Sequence, residues 1–390
     1  MRQVLARLSD SALVVFVLGG LLSLPFYKAD GLRERFVGAH AVAPGSTTAV
    51  LLVSLAIAVF SLLRRNHVWA NPAQLTWDDH GDRAKSLRRR LWLALLSRFA
   101  VVGYVFVAAG LILGWPSDLP LVGALIAASA LFGFRWANRP QSWPELGGPF
   151  LLALAGVLFA GPIVLWGVVA VLTLAAFPSG RAVRRDVLVR GWNARILRSV
   201  SAAFGDALAL LPPARAVRVR PSNPLRFALA GALARRSALP FAVLVLLATP
   251  VLRHAFPVVG SVWWVGLGAY FSTVPFAGGL AEVIRTPGLR RWVPTSTRVL
   301  KFAALAVLTV TAAVWAATAV LLGLSFVPLA VPLVAWAVVR TVTRPDIDYT
   351  AGVSTDVGGV YLPVGLVFQV LRGPDLLLFG LLVLSYFHSS

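Results

Sequence analysis

Residues 46 to 63 read STTAVLLVSLAIAVFSLL, a membrane's width without one charged side chain, and runs of this kind recur from one end of the chain to the other. Hydrocarbon offers a backbone no hydrogen-bond partner, so a run of this length is obliged to be a helix that satisfies its own N–H and C=O groups. At about 1.5 Å of rise per residue, about 20 residues cross a hydrocarbon core about 30 Å thick. Composition leaves no soluble alternative: 58% of the residues are apolar and 13% charged, at a mean hydropathy of +0.80. Soluble domains are roughly a quarter charged. The chain reads as an all-α polytopic membrane protein.

Spans fall at 11 to 27, 46 to 63, 91 to 113 and 118 to 135, and again at 239 to 256, 259 to 281, 299 to 319 and 322 to 339. Two further runs, 147 to 178 and 358 to 387, are too long for one crossing. Each carries a turn signal in its middle, Gly161-Pro162 in the first and Gly373-Pro374 in the second. Arginine placement decides the parity. RWANRPQSWPEL and SGRAVRRDVLVRGWNAR flank the first run and are both basic, so both belong in the cytoplasm and the chain between them crosses an even number of times. A tight hairpin satisfies this, and so does a pair of half-membrane helices. The total is about 12 transmembrane helices. The first apolar run lacks a small-residue cleavage site and reads as a retained helix.

The pattern is written twice. NPAQLTWDDHGDRAKSLRRRLW at 71 to 92 and TPGLRRWVPTSTRVLKF at 286 to 302 each fill the gap between the second and third spans of a half. In this register Pro72 falls on Pro287, Trp77 on Trp292 and Arg83 on Arg298, an offset of 215 residues. Gly147-Gly148 and Gly161-Pro162 fall on Gly358-Gly359 and Gly373-Pro374 in the same order. Two such marks argue for tandem six-span halves, 1 to 178 and 239 to 390, joined by a basic linker at 179 to 238. Six is even, so the halves share one orientation, the parallel kind of repeat used by transporters.

Of 36 basic residues, Lys28, Arg33, Arg35, Arg253 and Arg372 fall at or near the outer face when both termini are cytoplasmic, and the rest line the inner side. This describes a multi-pass plasma-membrane protein, with Arg98 and Lys301 snorkelling toward the inner headgroups. The linker carries twelve arginines against Asp186 and Asp206. Val183, Val187, Ile196, Val200, Phe204, Leu208 and Leu211 recur in it at helical spacing, opposite Arg184, Arg195 and Arg198, so it reads as an amphipathic helix on the inner face. A second short helix, LRFALAGALARRS, follows. The net charge of +21 therefore points to anionic lipid rather than nucleic acid.

Chemistry of its own is hard to place on this chain. There is no cysteine, which removes disulfides, thiolate metal sites and cysteine nucleophiles together. No GxxxxGK[ST] sequence is present, so the chain is not its own P-loop ATPase. No GxSxG elbow occurs, and Asp78-Asp79 beside His80 reads as a solvated loop. The five histidines, His40, His67, His80, His254 and His388, are scattered over both faces and suggest no metal site. No carboxylate sits deep in a span, Glu282 being at a boundary, which weakens an ion-coupled mechanism. The chain reads as no enzyme, without catalytic residues or cofactor.

What remains is two matched loops. A Pro that starts a short helix, a Trp to bury and arginines to pair suit a loop that receives force from a cytosolic protein. The six-span unit is similar to the membrane subunits of type-2 ABC export permeases, whose coupling helix lies between spans two and three and whose re-entrant hairpin precedes the last span. More narrowly, PGLRRWVPTSTRVLKFAAL and DYTAGVSTDVGGVYLPVGLVFQVLRGPDLLL resemble an actinobacterial family of integral membrane proteins related to ABC permeases. The resemblance is clearest from about residue 283 onward; the first loop departs from it, with charged Asp78, Asp79 and His80 at an apolar contact.

The resemblance implies the permease component of an ATP-driven exporter, an efflux system for a hydrophobic or amphipathic substrate. ATP and Mg would be bound by a separate pair of cytosolic ABC ATPase subunits. Coupling would pass through Pro72, Trp77, Asp78, Asp79 and Arg83 in one loop and Pro287, Arg290, Arg291, Trp292 and Arg298 in the other. A rival is a secondary transporter of the major-facilitator kind, which GDRAKSLRRR resembles loosely. Another is a non-transporting membrane scaffold.

Overall fold

The computed structural model describes residues 19–40, 42–77, 83–139, 142–177, 185–203, 214–217, 223–293, 295–345, 354–357, 360–363, 369 and 372–389. Residues 19–27 are helical. The helices that follow are α1 (Ala29–Phe36), α2 (Ser46–Leu63), α3 (Pro72–Trp77), α4 (Arg83–Leu113), α5 (Leu119–Ala137), α6 (Gly147–Val157), α7 (Pro162–Ala175) and α8 (Arg185–Ala203). Then come α9 (Pro224–Ala234), α10 (Leu239–Ala255), α11 (Ser261–Thr273), α12 (Gly278–Arg285), α13 (Pro287–Arg291), α14 (Thr297–Leu321), α15 (Ala330–Val342) and α16 (Pro374–Ser389). One short antiparallel pair, β1 (Ser354–Val357) and β2 (Val360–Pro363), precedes α16, with Val357 opposite Val360.

Among the described residues, six helical stretches are long and apolar enough to cross a membrane: Ser46–Leu63, Lys85–Leu113, Leu119–Ala137, Arg236–Ala255, Ser261–Arg285 and Thr297–Leu321. Their ends follow local chemistry. Asp118 accepts the Leu121 N–H at 3.0 Å to start α5, and Ser296 accepts the Val299 N–H at 3.3 Å to start α14. Gly114 (φ 99°) and Gly323 (φ 85°) take left-handed conformations where α4 and α14 stop, which is where a residue without Cβ is needed.

The chain packs as two compact units: Met1–Arg65 with Arg88–Arg181 and Val251–Val259, and Asn66–Leu87 with Ala182–Pro250 and Gly260–Ser390. In the first, α2 is the central helix and packs on α5 and α6, while α5 also packs on α7. Close approach depends on small residues: a Cβ on Gly156 would lie 3.2 Å from the Ala49 carbonyl oxygen, and one on Gly148 would enter the Phe132 ring. Arg65, in a left-handed conformation at φ 53°, gathers the end of this bundle. It donates to the carbonyls of Leu63 (2.8 Å), Trp136 (3.0 Å) and Arg139 (2.7 Å) and pairs in bidentate fashion with Glu145 at 3.1 and 2.5 Å. The Glu145 side chain is 1% exposed.

In the second unit, α11, α14, α15 and α16 share an apolar core in which Ala312, Val334, Ala335, Val338 and Leu381 are fully enclosed. Tyr270 and Thr341 bond across it at 2.8 Å. α9 crosses α12 where Gly231 meets Gly279, so close that a Cβ on Gly279 would lie 2.8 Å from the Gly231 Cα. Arg235, buried at the end of α9, pairs there with Glu282.

The sequence placed several of these elements accurately and missed others. The run read as a span at 322 to 339 is helical only from Ala330; Gly323 ends one helix and Pro328 stands before the next. The hairpin at 147 to 178 is two shorter helices, α6 and α7, broken before Gly161. Near the opening of the 358 to 387 run Val360–Pro363 pairs antiparallel with Ser354–Val357, where Thr355, Val357, Val360 and Tyr361 are the strand formers. Of the span at 11 to 27, residues 11 to 18 lie outside the described residues. Arg98 donates to the Ser61 hydroxyl (3.0 Å) and, one turn back toward the start of α4, to the Ala94 carbonyl (2.8 Å).

Candidate functional site

Both loops singled out by the sequence begin with a proline that starts a short helix, Pro72 in α3 and Pro287 in α13. Pro suits the first turn, since the N–H it lacks would be unsatisfied there. The second loop is held from within by Arg290. Its guanidinium donates to the Thr297 hydroxyl (3.2 Å), to the Val293 carbonyl (2.9 Å) and to the Thr295 carbonyl, closing the turn into α14. With Arg290 occupied, the outward groups are Arg291, Trp292 and Arg298. Trp292 is 86% exposed, the most extreme exposure of any tryptophan described. Trp143 is also open, at 79%, and an exposed indole next to an apolar helix suits a protein interface or the headgroup level of a bilayer.

The first loop is different. Asp78 and Asp79 lie outside the described residues, and Trp77 and Arg83 are placed only as helical backbone. Its preceding segment is covered by the linker helix α8. Val68, Leu75 and Leu188 form a small buried cluster, and the Ala70 N–H donates to the Leu188 carbonyl at 3.3 Å. The Trp69 ring packs against Trp192 with centroids 5.3 Å apart, and the Arg195 guanidinium sits 3.9 Å over the Trp69 ring. Arg198 donates to the Asn66 side-chain oxygen. Burial and the neighbouring Arg195 charge both hold the Arg198 pKa below the ordinary arginine value. Gly191 is the point of closest contact: a Cβ there would lie 2.0 Å from the Val68 carbonyl oxygen.

The turn residues also find roles. Gly161 is the extended residue before α7, which starts at Pro162. Gly373 (φ 120°) lies against the Thr341 backbone, where a Cβ would come within 2.7 Å, and α16 starts at Pro374. Asp375 accepts the N–H groups of Gly373 and Leu376 at 2.7 Å and pairs with Arg340 at 2.7 Å. Sequence reasoning missed the α8 contact entirely. The signal lay in WA and GW, two tryptophans in otherwise basic, loop-like segments.

Among the described residues no group of three or more His, Asp or Glu side chains converges to hold a metal. A cavity lined by Phe227, Phe276, Leu280 and Leu308 has room for about one water at ≈ 20 Å³. No family model, curated protein or solved structure matches the chain.

Proposed function

We propose that the chain is the permease component of an ATP-driven exporter, moving a hydrophobic or amphipathic substrate across the plasma membrane with a separate pair of cytosolic ABC ATPases. The observation that carries this reading is the second loop: a rigid, proline-started helix and turn between two long apolar helices, offering Trp292 at 86% exposure beside Arg291 and Arg298. A loop that transmits force needs internal stiffness, which the Arg290 bonds supply, and an anchor for its partner, which the indole supplies. ATP and Mg belong to the partner, and this chain contributes no catalytic group.

The reading includes a tandem origin, about 12 crossings and cytoplasmic termini. Recurring contacts support it. α2 packs on α5 and α5 on α7, as α11 packs on α15 and α15 on α16. The glycines that end α4 and α14 are both left-handed, and α7 and α16 both start at a Gly-Pro pair. Duplication from one ancestral bundle accounts for these matches in one step.

The test is a photo-crosslink. With benzoylphenylalanine in place of Trp292 in the full chain, expressed in its own host, irradiation is expected to attach an ATPase carrying a P-loop. Attachment to lipid alone, or to a protein without a nucleotide site, overturns the reading.

A further inference from the structure

α9, the linker's second helix, turns two faces in different directions. Leu225, Leu229 and Leu233 recur one turn apart on its outer face, each about half exposed. Phe227, Ala228, Gly231 and Ala232 lie on its inner face and pack toward α12 and α14, near Leu280, Leu300 and Ala304. Ala228, Gly231 and Ala232 have little side chain to interlock with a neighbour, so the polar hold at the helix end sets where α12 sits. There the Arg235 guanidinium, 6% exposed, lies over Gly278, where a Cβ would come within 2.8 Å of Nε, and pairs with the Glu282 carboxylate. From Glu282 the bonding continues into the second loop. Its carbonyl accepts the Thr286 N–H at 3.1 Å, the Thr286 carbonyl accepts the Arg290 N–H at 3.0 Å, and the Arg290 guanidinium closes the turn beside Trp292. On the other side the Arg215 N–H donates to the Ala234 carbonyl at 2.8 Å, which fastens an earlier stretch of the linker to the last turn of α9.

We infer that Arg235 is a positioning residue that ties the second loop to the linker, acting through Glu282 and α12. Energetic coupling between distant segments is carried by contiguous packed and hydrogen-bonded contacts. Here such a path runs from Arg215 and Ala234 through Arg235 and Glu282 to Thr286 and Arg290. A buried guanidinium holds its carboxylate in place because leaving it unpaired is costly, and Glu282 stands in the last turn of α12, where the loop begins. Displacing the linker therefore carries α13 and Trp292 with it, and a load on the loop is felt in the linker. The link holds whatever partner the loop receives, so it can stand or fail apart from the exporter reading.

The chain has no cysteine, so spin labels go only where thiols are introduced. Leu229→Cys on α9 and Leu289→Cys on the loop, both about half exposed, are labelled in the full chain, and their separation is read by double electron–electron resonance in nanodiscs. The parent should give one narrow distance distribution. Arg235→Gln is expected to widen it about twofold, Glu282→Gln equally, and both together no further, since either change opens the same link. Ala312→Gly, which thins the enclosed core of this unit away from the path, should leave the distribution narrow, so that lost stability by itself does not imitate the result. Should Arg235→Gln fail to fold, Glu282→Gln carries the test, because that side chain is 53% exposed. A broad distribution in the parent, an unchanged one in the variants, equal widening by Ala312→Gly, or widths that add in the double variant would each overturn the link.

Discussion

Arg65 and Glu145 stand 80 positions apart and meet in a buried bidentate pair, with Arg65 also bonded to three carbonyls. Removing one partner of such a pair leaves an uncompensated buried charge, which typically costs about 3–5 kcal/mol. Glu145→Ala is therefore expected to destabilise the protein by about 3 kcal/mol, near the lower end because the carbonyls remain. Thermal unfolding in detergent measures this; a transition within error of wild type would contradict the pairing. Arg65→Lys should not substitute, since an ammonium lacks the planar fork that serves four acceptors at once. In the sequence Glu145 reads as one more loop acid, because a contact across 80 positions leaves no local pattern. The helix starts at Pro162 and Pro374 are local by contrast, each dictated by a proline behind a glycine.

At the scale of elements, the crossing of α9 and α12 gives an asymmetric prediction. A Cβ on Gly279 would lie 2.8 Å from the Gly231 Cα, whereas one on Gly231 would lie an ordinary 3.5 Å from Gly279. Gly279→Ala should cost about 1–3 kcal/mol by overpacking two backbones, and Gly231→Ala should be close to neutral. Comparable unfolding of both variants would show that the helices do not cross there. The long helices were readable because hydrocarbon imposes length: 46 to 63 is the helix Ser46–Leu63, and 299 to 319 lies within Thr297–Leu321. Interruptions were harder. Periodicity sees only grease through 322 to 339, while Gly323 and Pro328 act on backbone geometry, and in VYLP the strand preference outweighs apolarity. The covering of Trp69 by α8 was invisible, since it joins segments more than a hundred residues apart.

For the whole molecule, the proposal is that an apolar body takes work from an ATPase partner through the exposed loop that Arg290 stiffens. Trp292 and Arg298 were picked out by the repeat in the sequence, and the structure leaves both exposed. The packing of α8 on Val68, Trp69 and Leu75 could not be read from matched residues, because it joins segments far apart in the chain. The direct measurement is ATP hydrolysis by the tagged full chain, purified in detergent from its own host with whatever binds it, and repeated with Trp292→Ala and Arg298→Ala. A co-purifying ABC ATPase is expected, its turnover falling at least about tenfold in Trp292→Ala, as for loss of a central interface anchor, and less in Arg298→Ala. Recovery of the chain alone, competent for uptake driven by a proton gradient, would contradict it.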